Sequence, residues 1–251
     1  MIGAFFDIDG TLVRESIMLK HFNKLIKYGI IDQEAYIKNL KAKYEAYEKR
    51  YGDYDDFISK MGDIYKEKLT GIHESLILET AKQVIEEGGE MVYAYTRDRI
   101  RFHKKNGHKV FFVSGSPTYL VKMLGDLYDI SDSSGTEYFF DQYGVFTGQI
   151  SQMWDSRSKQ KEINRLVEKY NIDVDKSYAY GDTNGDYTML KTMKNATAIN
   201  PSKRFLDKIN ADEELKARAK IVVERKDVIY ELEPDVNIYK INKYGKNNNS
   251  N

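Results

Sequence analysis

The stretch Ile2-Gly3-Ala4-Phe5-Phe6-Asp7-Ile8-Asp9-Gly10-Thr11-Leu12 carries an oily run into two carboxylates and then a glycine. Ile2 to Phe6 is continuously apolar rather than alternating, the pattern of a strand covered on both faces, as in the middle of a parallel sheet. In extended chain, residues i and i+2 point to the same side. Asp7 and Asp9 would therefore repel each other unless something near them absorbs the charge.

Three more stretches share the character of the first. Val110-Phe111-Phe112-Val113 ends at Ser114-Gly115-Ser116-Pro117, Ser177-Tyr178-Ala179-Tyr180 runs into Gly181-Asp182, and Ala196-Thr197-Ala198-Ile199 runs into Asn200-Pro201. Helical patterns lie between them. Ile163, Leu166, Val167 and Tyr170 make one face, and Leu120, Val121, Leu124 and Leu127 make another, with Ser116 as its N-cap and Pro117 at the first helical position. Strands alternating with helices predict an α/β fold, a doubly wound parallel sheet of Rossmann-like type. Ligands in that architecture sit beyond the carboxyl ends of the strands.

From about residue 14 to about residue 94 the alternation gives way to helix. Ile17, Leu19, Phe22, Leu25 and Ile26 precede Gly29; Tyr36, Ile37, Leu40, Tyr44, Tyr47 and Tyr51 recur at three to four residues; Leu76, Leu78, Ala81, Val84 and Ile85 precede Gly88-Gly89. This is the pattern of a helical insert after the first strand, its tyrosine-rich faces serving packing. The expected division is therefore an α/β core of residues 1–13 and 95–235, a helical insert of residues 14–94, and a polar, asparagine-rich, flexible tail of residues 236–251. Tyr138-Phe139-Phe140, Asp141-Gln142-Tyr143-Gly144 and Val145-Phe146 predict a hairpin with a four-residue turn.

Composition narrows the chemistry. The chain has 251 residues, with 39 Lys+Arg balanced by 39 Asp+Glu, so nothing in its charge favours nucleic acid or a membrane surface as partner. With no cysteine there is no disulfide framework and no thiolate metal site, which leaves oxygen ligands as the natural metal chemistry. The four histidines, His21, His73, His103 and His108, lack ligand-like spacing. The expected setting is cytoplasmic, because no apolar run approaches bilayer length and no basic region with a long apolar run opens the chain.

Asp-x-Asp-Gly by itself reads equally as a capped turn. A calcium loop fails by position: counting Asp7 as the first residue puts Met18 where a bidentate glutamate belongs. Gly181-Asp182-Thr183-Asn184-Gly185-Asp186 brings a second acidic pair to a strand end, and it too fails as a calcium loop, with Tyr187 and Met193 at the glycine and glutamate positions. A helix N-cap accounts for one of these acids but not for two. Carboxylates converging on one sheet edge cannot all stay ionised without a cation, and hard oxygen ligands in an open site point to Mg²⁺ with a phosphate. Ser114-Gly115-Ser116-Pro117 offers a hydroxyl and backbone N–H groups at a helix start, suited either to an anion or to plain capping. Lys159, near the start of another helix, reads on its own as a solvated charge or as a clamp on a ligand.

Taken together and in order, Asp7-Ile8-Asp9-Gly10-Thr11-Leu12, Val113-Ser114-Gly115-Ser116, Lys159, and Gly181-Asp182 with Asp186 resemble the four motifs of the haloacid-dehalogenase-like superfamily. The helical insert after the first motif, and the interval from Lys159 to Asp182, resemble its phosphoserine-phosphatase-like branch, subfamily IB; the interval favours Lys159 over Lys161. The resemblance implies that Asp7 is a nucleophile forming an aspartyl phosphate and Asp9 a general acid and base whose side chain points away from the metal. It implies Mg²⁺ held by Asp7, the Asp9 carbonyl and Asp182, with Asp186 supporting directly or through water. Thr11, Ser114, Gly115 and Lys159 would bind the phosphoryl group, and residues 14–94 would be the cap.

Dehalogenase members of the superfamily lack the second acid, so Asp9 favours a phosphatase or phosphomutase. The expected activity is Mg²⁺-dependent hydrolysis of a small phosphorylated metabolite. Alternatives are a phosphoserine phosphatase proper, a phosphotransferase or mutase, and a non-catalytic ligand-binding relative. Phosphoserine phosphatases carry a Glu nine residues after the nucleophile and an Arg in the cap. Here Ser16 holds that place, with Glu15 one residue early, and the segment Phe57 to Ile64 contains no arginine. Without both charged partners, phosphoserine would be poorly recognised.

Overall fold

The computed structural model describes residues 1–34, 40–49, 51–52 and 54–238, the side chains of Tyr54 and Asp55 excepted. The stretch that opens the sequence forms β1 (Gly3–Phe6), buried at all four positions. It lies inside an eight-stranded sheet of order β4-β3-β2-β1-β5-β6-β7-β8. The other strands are β2 (Lys109–Pro117), β3 (Asp132–Phe140), β4 (Phe146–Ser151), β5 (Tyr178–Gly181), β6 (Asn195–Ile199), β7 (Lys220–Arg225) and β8 (Val228–Leu232). All four strands expected from sequence are present, as the parallel neighbours β2, β1, β5 and β6. Two features went unread: the polar first half of β3, which pairs with Phe111–Val113 of β2, and the terminal antiparallel pair β7–β8.

Alternation along β1 explains the layers. Phe5 faces one side with Phe111 and Ala179, and meets Ile163 and Leu166 of α7 (Ser156–Tyr170) and Met189 and Leu190 of α8 (Tyr187–Thr192). Ala4, Phe6 and Ile8 belong to the opposite core, with Val110, Phe112, Ile100 of α5 (Ala94–Lys105), and Leu120, Val121 and Leu124 of α6 (Thr118–Tyr128). Period-two alternation thus feeds two helical layers from one strand. Phe5 packs on Phe111 at 4.6 Å between ring centroids, and Phe6 stacks on Tyr180 at 4.3 Å. Two short helices, α9 (Lys203–Asn210) and α10 (Glu213–Lys216), complete the first layer through Phe205, Leu206, Ile209 and Leu215.

Between β1 and α5 lie α1 (Ile17–Lys27), α2 (Lys41–Glu48), α3 (Tyr54–Leu69) and α4 (Glu74–Gly88). They build a third core around Phe22, Leu25, Phe57, Met61, Tyr65 and Ile77, which also takes in Tyr138 and Phe146 from the β3–β4 hairpin. The chain enters and leaves this region side by side, through the antiparallel bridge Val13↔Val92 and a bond from Tyr93 N to the Leu12 carbonyl (2.9 Å). Of the expected positions, Tyr36, Ile37 and the tail residues 239–251 lie outside the described residues, whereas Val236 packs against the first core. Among the described residues no helix is long and apolar enough to cross a membrane.

Several local expectations need correction. Helix α4 buries Ile77, Thr80, Ala81, Val84 and Ile85, leaving Leu76 exposed, because a 3.6-residue period through Ala81 and Val84 selects Ile77 rather than Leu76. Leu127 is likewise exposed at the end of α6. Ser116 does not cap α6: it is still in β2, Pro117 is the N-cap without a side-chain bond, and Thr118 begins the helix. The hairpin pairs Phe140 with Phe146, so its loop is Asp141–Val145, one residue longer than expected. Asp141 holds it through bonds to Tyr143 N and Val145 N, and Gly144 supplies a φ of 75°.

Candidate active site

The order of the sheet sends β2 to one side of β1 and β5 to the other, which opens a crevice at the carboxyl end of β1. Asp7 is the first residue past that strand, fixed by a bond from its N–H to the Tyr180 carbonyl (3.0 Å). The chain then folds over itself: Thr11, Leu12 and Val13 all donate to the Ile8 carbonyl, and Gly10 donates to the Val13 carbonyl with a φ of 87°. A Cβ on Gly10 would sit 2.1 Å from Asp182 Oδ2, so this turn needs glycine for its dihedral and for the approach of Asp182.

The two opening carboxylates are held by different partners. Lys159 Nζ lies 2.6 Å from Asp7 Oδ1 and 2.6 Å from Asp186 Oδ1, and all three side chains are buried. Lys159 is therefore a buried bridge, not a solvated charge. Asp9 turns the other way: Oδ1 accepts from Ile17 N (2.7 Å), and Oδ2 accepts from Ser116 Oγ (2.5 Å) and, at 3.5 Å, from Ser114 Oγ. Burial raises the Asp9 pKa, while Ser116, Ile17 N–H and Ser16 pull it back down.

At the end of β5, Asp186 Oδ2 accepts from Asp182 N (3.1 Å), Thr183 N (3.0 Å) and the Thr183 hydroxyl (3.3 Å), forming a capping box on the short turn Asn184–Asp186. Asp186 thus caps the turn with one oxygen and meets Lys159 with the other. A Cβ on Gly181 would lie 2.4 Å from the Asp186 Cβ, so that glycine makes room for the fold-back. Thr11 is fully buried and gives its hydroxyl to Asp182 Oδ1 (3.1 Å), while its carbonyl accepts from Thr96 Oγ1 (2.7 Å). It was expected at the phosphate. Its hydroxyl instead orients a carboxylate, and Thr11 does not line the cavity.

One carboxylate oxygen from each of Asp7, Asp182 and Asp186 falls within a sphere where all pairs lie inside 4.8 Å. Burial first, and then mutual repulsion, drives the Asp182 pKa well above the usual carboxylate range and that of Asp7 up to about 8. One lysine faces three acids. This donor set suits a hard divalent cation such as Mg²⁺, which favours carboxylate oxygens and would relieve the surplus charge.

Asp7, Asp9, Ser114, Gly115 and Lys159 share a cavity of about 300 Å³ with Thr183, Asn184 and Gly185. Its other wall is Ser16 and Met18 at the start of α1, Ile58, Ser59 and Gly62 of α3, and Trp154. Helix α3 buries Phe57, Met61, Ile64 and Tyr65 in the insert, which leaves Ile58, Ser59 and Gly62 on the adjoining stripe toward the site. Gly115 has no room for a side chain, since a Cβ there would be 2.9 Å from the Trp154 Cβ. Sequence reasoning missed Ser116 as a partner of Asp9, and Trp154 altogether. The only signal for Trp154 was its being the single tryptophan of the chain.

The model of the family described as haloacid dehalogenase-like hydrolase matches residues 4–191. The inhibition of morphological differentiation protein of Streptomyces azureus is 23% identical over 215 residues, covering 80% of this chain and 72% of that one. A probable phosphatase of Mycobacterium tuberculosis is 24% identical over 208 residues, covering 80% and 69%. A solved structure described as a phospho-aspartyl intermediate analogue of phosphoserine phosphatase superposes with a TM-score of 0.56 at 16% identity, covering 90% of this chain and 94% of that one. At that identity the likeness is one of fold.

Proposed function

We propose that this chain, which belongs to the haloacid dehalogenase-like hydrolase family, is a Mg²⁺-dependent phosphomonoesterase that works through an aspartyl phosphate on Asp7. One observation carries the reading: Asp7 and Asp9 face a common cavity but are held by separate donors, Lys159 on one and Ser116 with Ile17 N–H on the other. A nucleophile must be ionised and a general acid must carry a proton. Two acids two residues apart meet both demands only if their surroundings differ.

In this reading the phosphoryl group lies between Asp7 and the β2 turn, against the Ser114 hydroxyl, the Gly115 N–H and Lys159. Asp7 attacks phosphorus, and the bond to the leaving oxygen breaks as the bond to Asp7 forms. Asp9 gives its proton to the departing alkoxide. It then accepts a proton from the water that cleaves the aspartyl phosphate, which returns both acids to their starting states. Asp7, the Asp9 carbonyl and Asp182 would hold Mg²⁺, with Asp186 behind them. When bound, the ion neutralises phosphoryl charge that would otherwise repel the incoming carboxylate. Residues 14–94 act as a cap over a core of residues 1–13 and 95–235, shielding the site from bulk water.

Purified protein assayed with Mg²⁺ against a panel of small phosphate esters tests this. Release of inorganic phosphate that vanishes in Asp7→Asn is the expected result. Absence of hydrolysis, or full activity in Asp7→Asn, would overturn it.

A further inference from the structure

We infer that the alcohol released at this site is uncharged and carries a flat or branched apolar group, which lies between Trp154 and the Met18–Ile58 wall; this rests on the phosphomonoesterase reading above. Among the described residues lining the cavity, every charged side chain belongs to Asp7, Asp9 or Lys159. Lys159 is taken up by Asp7 and Asp186, and Asp9 by Ser116, Ser114 and Ile17 N–H. The rest of the lining is uncharged: the phosphate side adds the hydroxyls of Ser114, Ser116 and Thr183 and the Asn184 amide, and the facing wall offers a thioether, an isoleucine, an indole, two serine hydroxyls and the bare backbone of Gly62.

Ser16, at the entrance of α1, is no substitute for a charged reader. It is buried, its hydroxyl accepts from Leu19 N (3.3 Å), and it also acts on the Asp9 carboxyl. An ammonium or carboxylate on the leaving group would give up its water here without a counter-charge, which is among the costliest forms of burial.

Trp154 supplies the positive side of the argument. It follows β4 and precedes α7, is 45% exposed, lines the cavity, and sets its Cβ and backbone against Gly115 and its carbonyl against Gly185. A half-exposed tryptophan that lines the cavity next to the Ser114–Gly115 turn has a flat apolar ring for a ligand to cover. The cavity of about 300 Å³ is at the small end of ligand sites, which suits a small ester rather than a phosphorylated protein segment.

The test uses the full chain with Mg²⁺ and three esters: 2-phenylethyl phosphate, methyl phosphate and O-phospho-L-serine. We expect kcat/KM for 2-phenylethyl phosphate to exceed that for O-phospho-L-serine by about tenfold or more. Trp154→Ala should narrow the ratio of 2-phenylethyl to methyl phosphate by about tenfold, and Trp154→Phe should restore most of it. Because the chain has one tryptophan, its fluorescence gives a readout without turnover: in Asp7→Asn, 2-phenylethyl phosphate should shift the emission saturably at concentrations where O-phospho-L-serine does not. Equal or better use of O-phospho-L-serine, or a ratio untouched by Trp154→Ala, would overturn the inference while leaving the phosphatase reading intact. Failure to hydrolyse any of the three would overturn both.

Discussion

The hydroxyl of Ser116 donates to Asp9 Oδ2 at 2.5 Å, across the gap between the first and second strands. With Ile17 N–H on the other oxygen, this bond fixes the acid in the cavity and turns it away from the Asp7–Asp182–Asp186 cluster. Ser116→Ala should lower kcat by about tenfold or more on alkyl esters, and Ser116→Thr should recover much of it. The deficit should shrink with p-nitrophenyl phosphate, whose leaving group departs without a proton. A loss in kcat/KM, which reports the steps up to alcohol release, equal for both ester types would mean that Ser116 does not act through Asp9 as the acid.

Lys159 is the buried cation between Asp7 and Asp186. Its own pKa is held above the ordinary lysine value: burial opposes the charge, but the two carboxylates outweigh it. Lys159→Met removes one partner of a buried set and leaves the acids uncompensated. Urea unfolding should show a loss of about 3–5 kcal/mol, together with loss of activity.

Asp182 is under the opposite stress, with burial and two neighbouring acids disfavouring its charge. Asp182→Asn keeps the shape and removes the charge. In chelator the variant should be more stable than the parent by about 1–2 kcal/mol. Mg²⁺ should raise the Tm of the parent and not that of the variant, as calorimetry with and without Mg²⁺ will register.

His21 ties the helical insert together. Thr80 Oγ1 donates to the Leu76 and Ile77 carbonyls, so it accepts from His21 Nε2–H (2.8 Å); His21 Nδ1 then accepts from the Tyr65 hydroxyl (2.5 Å), which accepts in turn from Tyr119 (2.5 Å). The ring is neutral, burial having pushed its pKa from 6.5 down to about 3. Between those values the unfolded chain binds a proton that the folded chain does not, so stability rises with pH and is lost as pH falls from about 6.5 toward 3, by ~1.4 kcal/mol per pH unit. His21→Gln should be less stable at pH 7 by about 1–3 kcal/mol. Its loss of stability from pH 6 to pH 4 should be shallower than the parent's by about that slope, as urea unfolding across the range will measure.

Much of this site was legible because its residues stand at strand ends. A continuous apolar run stopping at small polar or acidic residues marks both a buried parallel strand and the edge where ligands bind, so Asp7, Ser114 and Asp182 came from one pattern. The half-polar β3 and the edge strand β8 lack that pattern, because they are covered on one face or neither; β7 is covered on both, through Ile221 and Val222, but its apolar run is short and ends in charged residues. The hairpin contributed Tyr138 and Phe146 to the insert's core for a reason invisible in one dimension: it extends past the sheet and pairs with the chain at Gly71–Glu74.

The sequence by itself determined the strand that holds Asp7, the alternation that builds two helical layers on it, and the set of acids, hydroxyls and lysine that could do chemistry; each follows from local periodicity and side-chain type. Tertiary structure alone decided what those groups are to one another. Whether Lys159 is a surface charge or a buried bridge depends on its reaching Asp7 and Asp186, 152 and 27 residues away along the chain. Ser116 is bound to Asp9 rather than capping a helix because β2 continues to Pro117 beside the first loop. Pairings of this kind are set by distance in space, through desolvation and charge, and residue order carries neither.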